Sequence, residues 1–377
     1  MSNPHQPHLP PEILDYIVDL LHDEPETLKQ CCLVSKSWAS RTRKHLFANV
    51  EFFTADDLEA WKQMFPDPAR SPAHHTHTLS IHCIWAIEEA DAEDGGWIPT
   101  FSRVNGVWLR VGANPTSLNE FEKSLTLFHK LSPLLKSLRV GTLFFQCSRF
   151  WNVIRSLPLL EDLTLIGNGG DKWESLPAVY PSASPAFTGT LELDLFPMEG
   201  IVRRLLDLPN GLHFRRLVFS SRDQEDLRRM EELVAACSDT LECLDVMYYL
   251  FTYTSPASVD LSKATKLRDV VFRPASLNIA WITMVLQNVS PEHRNLQRIS
   301  IYLRYNLVLA ATEPDAMQDV GGQWLDLDHL LVQFWESRSI RTKLVCSAPE
   351  EELQDMREHI GRLLPEVMGR GIIDLVE

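Results

Sequence analysis

The chain has 377 residues, 45% of them hydrophobic and 23% charged, with a formal net charge of −15. That balance is ordinary for a globular protein, and the excess of acid opposes binding to nucleic-acid phosphates or to an anionic membrane. No charged-then-apolar leader follows Met1 and no apolar run is long enough to span a bilayer. Cys31, Cys32, Cys83, Cys147, Cys237, Cys243 and Cys346 form no CxxC pair, so the expectation is reduced thiols in the cytosol or nucleus.

In chain order, residues 8–50 come first and read as three short helices. Pro10-Pro11-Glu12 opens a helix, since proline costs nothing at a first helical position and Glu12 meets the positive end of the helix dipole. Ile13, Leu14, Ile17, Val18, Leu20 and Leu21 make one wide apolar face, with Asp15 and Asp19 off it. Pro25 breaks that helix. A second carries Leu28, Cys31, Cys32 and Leu33. A third starts near Ser35, with Val34, Trp38, Leu46 and Phe47 apolar and Lys36, Arg41, Arg43 and Lys44 facing water. Helices this short need tertiary partners.

Leu9-Pro10-x-Glu12-Ile13-Leu14, then Leu28, then Cys32-Leu33-Val34-Ser35-Lys36-x-Trp38, then Leu46-Phe47, in that order over forty residues, resembles an F-box. The resemblance covers roughly an eighth of the chain. It implies a module that packs against a Skp-family adaptor and, through it, a cullin-based ubiquitin ligase. On that resemblance Leu9, Pro10, Ile13, Leu14, Ile17, Leu28, Val34 and Trp38 match adaptor-facing or module-core positions.

Residues 48–77 read as a connector containing a helix over Ala55 to Phe65, followed by the proline-rich break Pro66 to Pro72. Thr78 to Ile84 alternates as a strand, with Leu79, Ile81 and Cys83 on one side. Glu88 to Trp97 is acidic and reads as an exposed loop.

From about Val107 a repeat of the form apolar-x-x-apolar-x-apolar takes over. It recurs as Leu135/Leu138/Val140, Leu160/Leu163/Leu165, Phe214/Leu217/Phe219, Leu241/Leu244/Val246, Leu267/Val270/Phe272 and Leu296/Ile299/Ile301, with a degenerate copy ending in Leu193-Asp-Leu195. Successive central positions lie 25, 30, 24, 27, 26 and 29 residues apart. Leucine-rich repeats recur at roughly 20–29 residues, and these copies resemble the irregular repeats of that kind found downstream of F-boxes. Helical stretches between them (Phe150 to Leu157, Val202 to Leu206, Glu225 to Ala236, Ile279 to Gln287) predict parallel strands with right-handed crossovers. Residues 170–189 and 312–323 read as loop insertions. A helix over about Pro349 to Met368, together with Ile372 to Val376, reads as the cap a solenoid needs.

The expected fold is therefore α+β: a three-helix F-box module at 8–50, a connector with the first strand or strands at 51–103, an α/β leucine-rich-repeat-like solenoid at 104–348, and a capping helix and strand at 349–377.

No catalytic constellation stands out. His74-His75-x-His77 with His82 and Cys83 lacks a second ligand cluster at zinc spacing, so no metal is expected. Gly167 to Gly170 lacks the phosphate-loop lysine, and neither GxSxG nor HExxH occurs. No cofactor is expected, and the chain does not read as an enzyme.

A ligand surface follows from strand alternation, because residues between the apolar letters face away from the core. Asp162, Glu192, Asp194, Asp245 and Asp269 then share one sheet face with Phe196, Met247 and Tyr302. Acid beside exposed apolar residues is typical of a protein-binding face, and it predicts a basic segment as ligand. The expected function is a non-catalytic substrate-recognition subunit, with an unidentified protein as substrate. The competing expectation is a scaffold that uses the helical module only as an N-terminal cap, with no role in ubiquitin transfer.

Overall fold

A computed structural model describes residues 10–82, 96–110, 134–142, 145, 148–168, 185, 187–249, 259–275, 279–289 and 293–376. Leu9, Cys83, the acidic stretch from Glu88 and most of the 170–189 insertion lie outside these residues. The chain forms two compact units, Met1–Thr142 and Leu143–Glu377.

The first unit begins with α1 (Pro11–Leu20), α2 (Pro25–Val34) and α3 (Lys36–Leu46). The proline start of α1 falls where the sequence puts it, and Pro25, expected as the break after α1, also opens α2. Ser35 caps α3 by accepting a hydrogen bond from the Trp38 amide (3.3 Å). Val18, Leu28, Cys31 and Thr42 fill the space between the helices. Asp19 of α1 is not a bystander on the polar side. Arg41 donates to it through Nε (2.7 Å) and Nη2, and His45 Nε2 lies 2.7 Å from it. These bonds, Arg41 first, hold the Asp19 carboxyl well below the usual carboxylate range. Arg41 is thus a half-buried tie between α1 and α3, not the water-facing residue expected.

The stretch expected as a connector holds a strand, β1 (Asn49–Phe52), beside the expected helix α4 (Ala55–Met64); β2 (Thr78–His82), β3 (Gly106–Arg110) and β4 (Ser137–Thr142) follow it. Each strand pairs in parallel with the next, and Val50, Leu79, Val107 and Leu138 lie in one register row. A strand of four residues is too short to show alternation, which is why β1 escaped notice. Trp61 of α4 meets Phe47, Phe52 and Phe101 at ring-centroid distances of 5.7, 5.9 and 5.7 Å. That aromatic cluster fastens the end of α3 to the strand layer.

The second unit repeats strand and helix: α5 (Ser148–Arg155), β5 (Asp162–Asn168), β6 (Thr190–Phe196), α6 (Glu199–Leu206), β7 (Arg216–Ser221), α7 (Gln224–Ala236), β8 (Cys243–Tyr248), β9 (Asp269–Pro274), α8 (Ala280–Gln287) and β10 (Arg298–Arg304). It closes with α9 (Tyr305–Ala311), α10 (Pro314–Arg338), β11 (Arg341–Ser347), α11 (Leu353–Leu363), α12 (Pro365–Gly369) and β12 (Ile373–Val376). β5 to β12 pair in chain order, every pair parallel. This is an α/β, solenoid-like arrangement, and each apolar repeat letter from Leu163 to Ile301 is buried.

The register corrects one alignment. Leu191, not Leu193, lies opposite Leu163 and Leu217. Leu191, Leu193 and Leu195 alternate uniformly, so the repeat template fits β6 at either of two positions. A two-residue slip leaves every side chain on its face but moves it one row along. Gly189 permits the tight entry to β6. A Cβ there would come within 2.2 Å of Asp162 Oδ1, which accepts the Thr190 amide at 2.6 Å.

Residues 312–323 are not a loop: from Pro314 they belong to α10. Proline suits the first helical position, and tertiary packing outweighs the cost of Gly321-Gly322. Val320, Trp324, Leu327, Leu331 and Phe334 are buried along one stripe. Gln323 Oε1 accepts the Ile279 and Ala280 amides at 3.1 Å, capping α8. The expected closing helix is two helices, broken at Leu364-Pro365, where buried Asp328 of α10 accepts the Glu366 and Val367 amides (2.8 and 2.9 Å). Residues 373–376 are a paired strand of the sheet.

Candidate functional site

Two surfaces, one in each unit, carry the residues singled out by the sequence. On α1 the apolar residues divide by helical phase. Leu14, Val18 and Leu21 turn inward, with Val18 fully buried, whereas Ile13, Tyr16 and Leu20 recur at i, i+3 and i+7 on the outer side. Ile17 sits on the border between the two stripes, half-buried. At the end of α2, Leu33 and Val34 also face solvent. Ile13, Tyr16, Leu20, Leu33 and Val34 are between 46% and 81% exposed. A helix with a second, outward apolar stripe has more hydrophobic surface than its own module hides.

The expected module residues differ in exposure. Pro10, Ile13 and Val34 are exposed; Leu14, Ile17 and Trp38 are half-buried; Leu28 is in the module's core. Leu9 lies outside the described residues. Tyr16, Leu20 and Leu33 were not assigned to the surface from sequence. Counting three and seven residues on from Ile13 would have found the first two.

The second surface is the open face of β5 to β11. Pairing sets its rows: Asp162, Thr190, Arg216, Cys243, Asp269, Arg298 and Arg341 across one end, then Thr164, Glu192, Val218, Asp245, Val271, Ser300 and Lys343. At the other end lie Ile166 and Asp194 of β5 and β6, and Met247, Arg273, Tyr302 and Val345 of β8 to β11. Phe196 ends β6 opposite Asn168, and its side chain lies outside the described set.

The five acids share the face as expected, but most are engaged locally. Asp162 holds the Thr190 amide, and Glu192 accepts the Thr164 hydroxyl at 3.1 Å. Asp245 is buried and accepts from Arg216 Nη2 (3.0 Å), Arg273 Nε (2.9 Å) and Arg273 Nη2 (3.2 Å). The hydrogen bonds to Asp245 raise Arg273 above its ordinary value. The Arg273 guanidinium also lies 3.9 Å above the Tyr302 ring. Asp269 pairs with Arg298 at 2.8 Å. The face is acidic at β5 and β6 and becomes basic toward β11.

Among the described residues no group of three or more His, Cys, Asp or Glu is placed to hold a metal, and no helix is long and apolar enough to cross a membrane. His74 hydrogen-bonds the Ser71 carbonyl (2.7 Å) and His82 the Glu51 carboxylate (2.8 Å). Compared with models of known protein families the chain matches none, and no curated protein matches it.

Proposed function

We propose that this chain is a non-catalytic substrate-recognition subunit of a Skp/cullin/F-box ubiquitin ligase, acting in the cytosol or nucleus. The helices α1 to α3 serve as the F-box and dock a Skp-family adaptor. The open strand face of the second unit receives a protein substrate.

The observation that carries the reading is the outward apolar stripe Ile13–Tyr16–Leu20, joined by exposed Leu33 and Val34. The F-box-like spacing of the sequence and the open stripe support the same role. A module serving only as an N-terminal cap would turn its apolar side chains inward, as Val18 and Leu28 do. Tyr16 and Leu20, at 62% and 63% exposure, do not. Burying a Leu or Phe-sized side chain contributes about 1.5–3 kcal/mol, so several on one partner suffice to anchor it.

Affinity purification of the full-length chain from its own cells, followed by mass spectrometry, tests the assignment. Adaptor and cullin peptides are expected together. Recovery of other partners with neither of these would overturn it in favour of a scaffold without a ligase role.

A further inference from the structure

At the basic end of the second unit, the starts of β9, β10 and β11, the turn before β10 and the end of α10 enclose an open cleft of about 870 Å³. Arg294, Arg298, Arg338, Arg341 and Lys343 line it, with Asp269 the one carboxylate among the lining residues. Arg298 is matched to Asp269, and the Arg338 guanidinium lies over the Phe334 ring (5.6 Å). The C-terminal dipole of α10 contributes about half a negative charge at most, too little to offset Arg294, Arg341 and Lys343. A protein of net charge −15 therefore concentrates positive charge in one concave place.

Strand alternation sends Lys343 and Val345 out on the same face as Arg341, and Ser300 and Tyr302 out with Arg298. At the far end of these strands a second hollow, about 240 Å³, is lined by Met247, Arg273, Tyr302 and Val345 among others. The seven residues of β11 separate the two by roughly 20 Å, the reach of an extended peptide of about six to eight residues.

We infer that this face binds an extended, carboxylate-rich segment of a partner protein, its acidic side chains in the arginine-lined cleft and an apolar side chain against Tyr302 and Met247. Planar guanidinium groups suit paired carboxylate oxygens. The overall negative charge of the chain disfavours a nucleic acid, whose phosphates would meet repulsion beyond the cleft. The acids expected to select a basic ligand are largely held by Arg216, Arg273, Arg298 and backbone amides, so the free charge on β9 to β11 has the opposite sign. The inference rests on the reading of this face as the substrate surface. It fails separately from the adaptor assignment, because its test contains no adaptor.

The probe is a fluorescein-labelled peptide of about eight glutamates ending in phenylalanine, titrated with the full-length chain and followed by anisotropy. Saturable binding that weakens as salt rises is expected. Arg341→Glu with Lys343→Glu should weaken it roughly ten-fold or more. The milder Arg341→Gln with Lys343→Gln should give a smaller loss in the same direction, which guards against misfolding of the first variant. Arg110→Glu with Arg215→Glu changes the net charge equally elsewhere and should leave affinity within about two-fold. Replacing the terminal phenylalanine by glycine should weaken binding several-fold; equal affinities would remove the apolar anchor. The inference is overturned by no saturable binding, or by cleft variants that fold and bind unchanged. It is equally overturned by tighter binding of a single-stranded RNA oligonucleotide, or by displacement with inorganic phosphate beyond that of chloride at equal ionic strength.

Discussion

Asp245→Ala removes the carboxylate that ties β7, β8 and β9 together. The side chain is 2% exposed and accepts three hydrogen bonds from two arginines. Bonds to charged groups contribute about 1.5–3 kcal/mol each, and burying the carboxylate costs several kcal/mol in return. Removing one partner of a fully buried pair typically costs about 3–5 kcal/mol. Here Arg216 and Arg273, at 47% and 32% exposure, regain water, so the cost falls to about 2 kcal/mol. In a unit of this size that lowers the melting temperature by about 4–8 °C. Thermal melts followed by circular dichroism, with Arg273→Ala and the double variant completing a cycle, should give a coupling of about 1–2 kcal/mol. A melt within about 1 °C of the parent chain, or strictly additive single effects, would refute the network as a structural tie. The same substitution frees positive charge on the open face. It should therefore tighten binding of the glutamate peptide while loosening the fold, a pair of opposite signs that a general disruption does not produce.

Three further outcomes are expected. Ile13→Asp with Leu20→Asp should change stability by no more than about 0.5 kcal/mol each, because both residues are exposed, whereas Leu28→Ala in the module's core should cost about 2–5 kcal/mol; chemical denaturation of the full chain compares them. Burial pushes the Asp226 carboxyl up to about 6 from its ordinary 3.8, so the folded chain holds a proton there that the unfolded chain has already released. This contribution favours the fold below about pH 4 and is lost as pH rises through 6, by at most about 3 kcal/mol. Asp226→Asn, which keeps an acceptor for the Arg222 amide, should remove that pH dependence, and a variant less stable than the parent at pH 8 but not at pH 4 would contradict it. Gly189→Ala should destabilise, since its Cβ would collide with the Asp162 carboxylate that holds the Thr190 amide and crowd the Glu161 carbonyl; a melting temperature equal to or above the parent's counts against the close approach.

The strands from Leu138 to Ile299 were legible because each repeat states its buried letters at the period of a strand, and the crossovers at the period of a helix. What escaped has physical causes. β1 is four residues long, and β6 offers two equivalent registers. In α10 the local signals Pro314 and Gly321-Gly322 were overruled by a buried stripe from Val320 to Phe334. On the open face the side-chain directions were readable, since alternation fixes them. The pairing was not: Arg216–Asp245 and Asp245–Arg273 are 29 and 28 residues apart, one repeat each way. Only the strand register brings such residues together, so a face that looks acidic in sequence is half neutralised in the fold. On α1 the sequence shows a broad apolar face but not which part the neighbouring helices cover.

The proposed role rests on whether that uncovered part of α1 docks an adaptor. Purified full-length chain mixed with a purified Skp-family adaptor, resolved by size-exclusion chromatography with light scattering, tests it most directly. A one-to-one complex is expected, lost in Ile13→Asp with Leu20→Asp although the variant keeps the parent's circular dichroism spectrum. Separate elution of the folded parent chain and the adaptor, or an undiminished complex with the folded variant, would contradict the account.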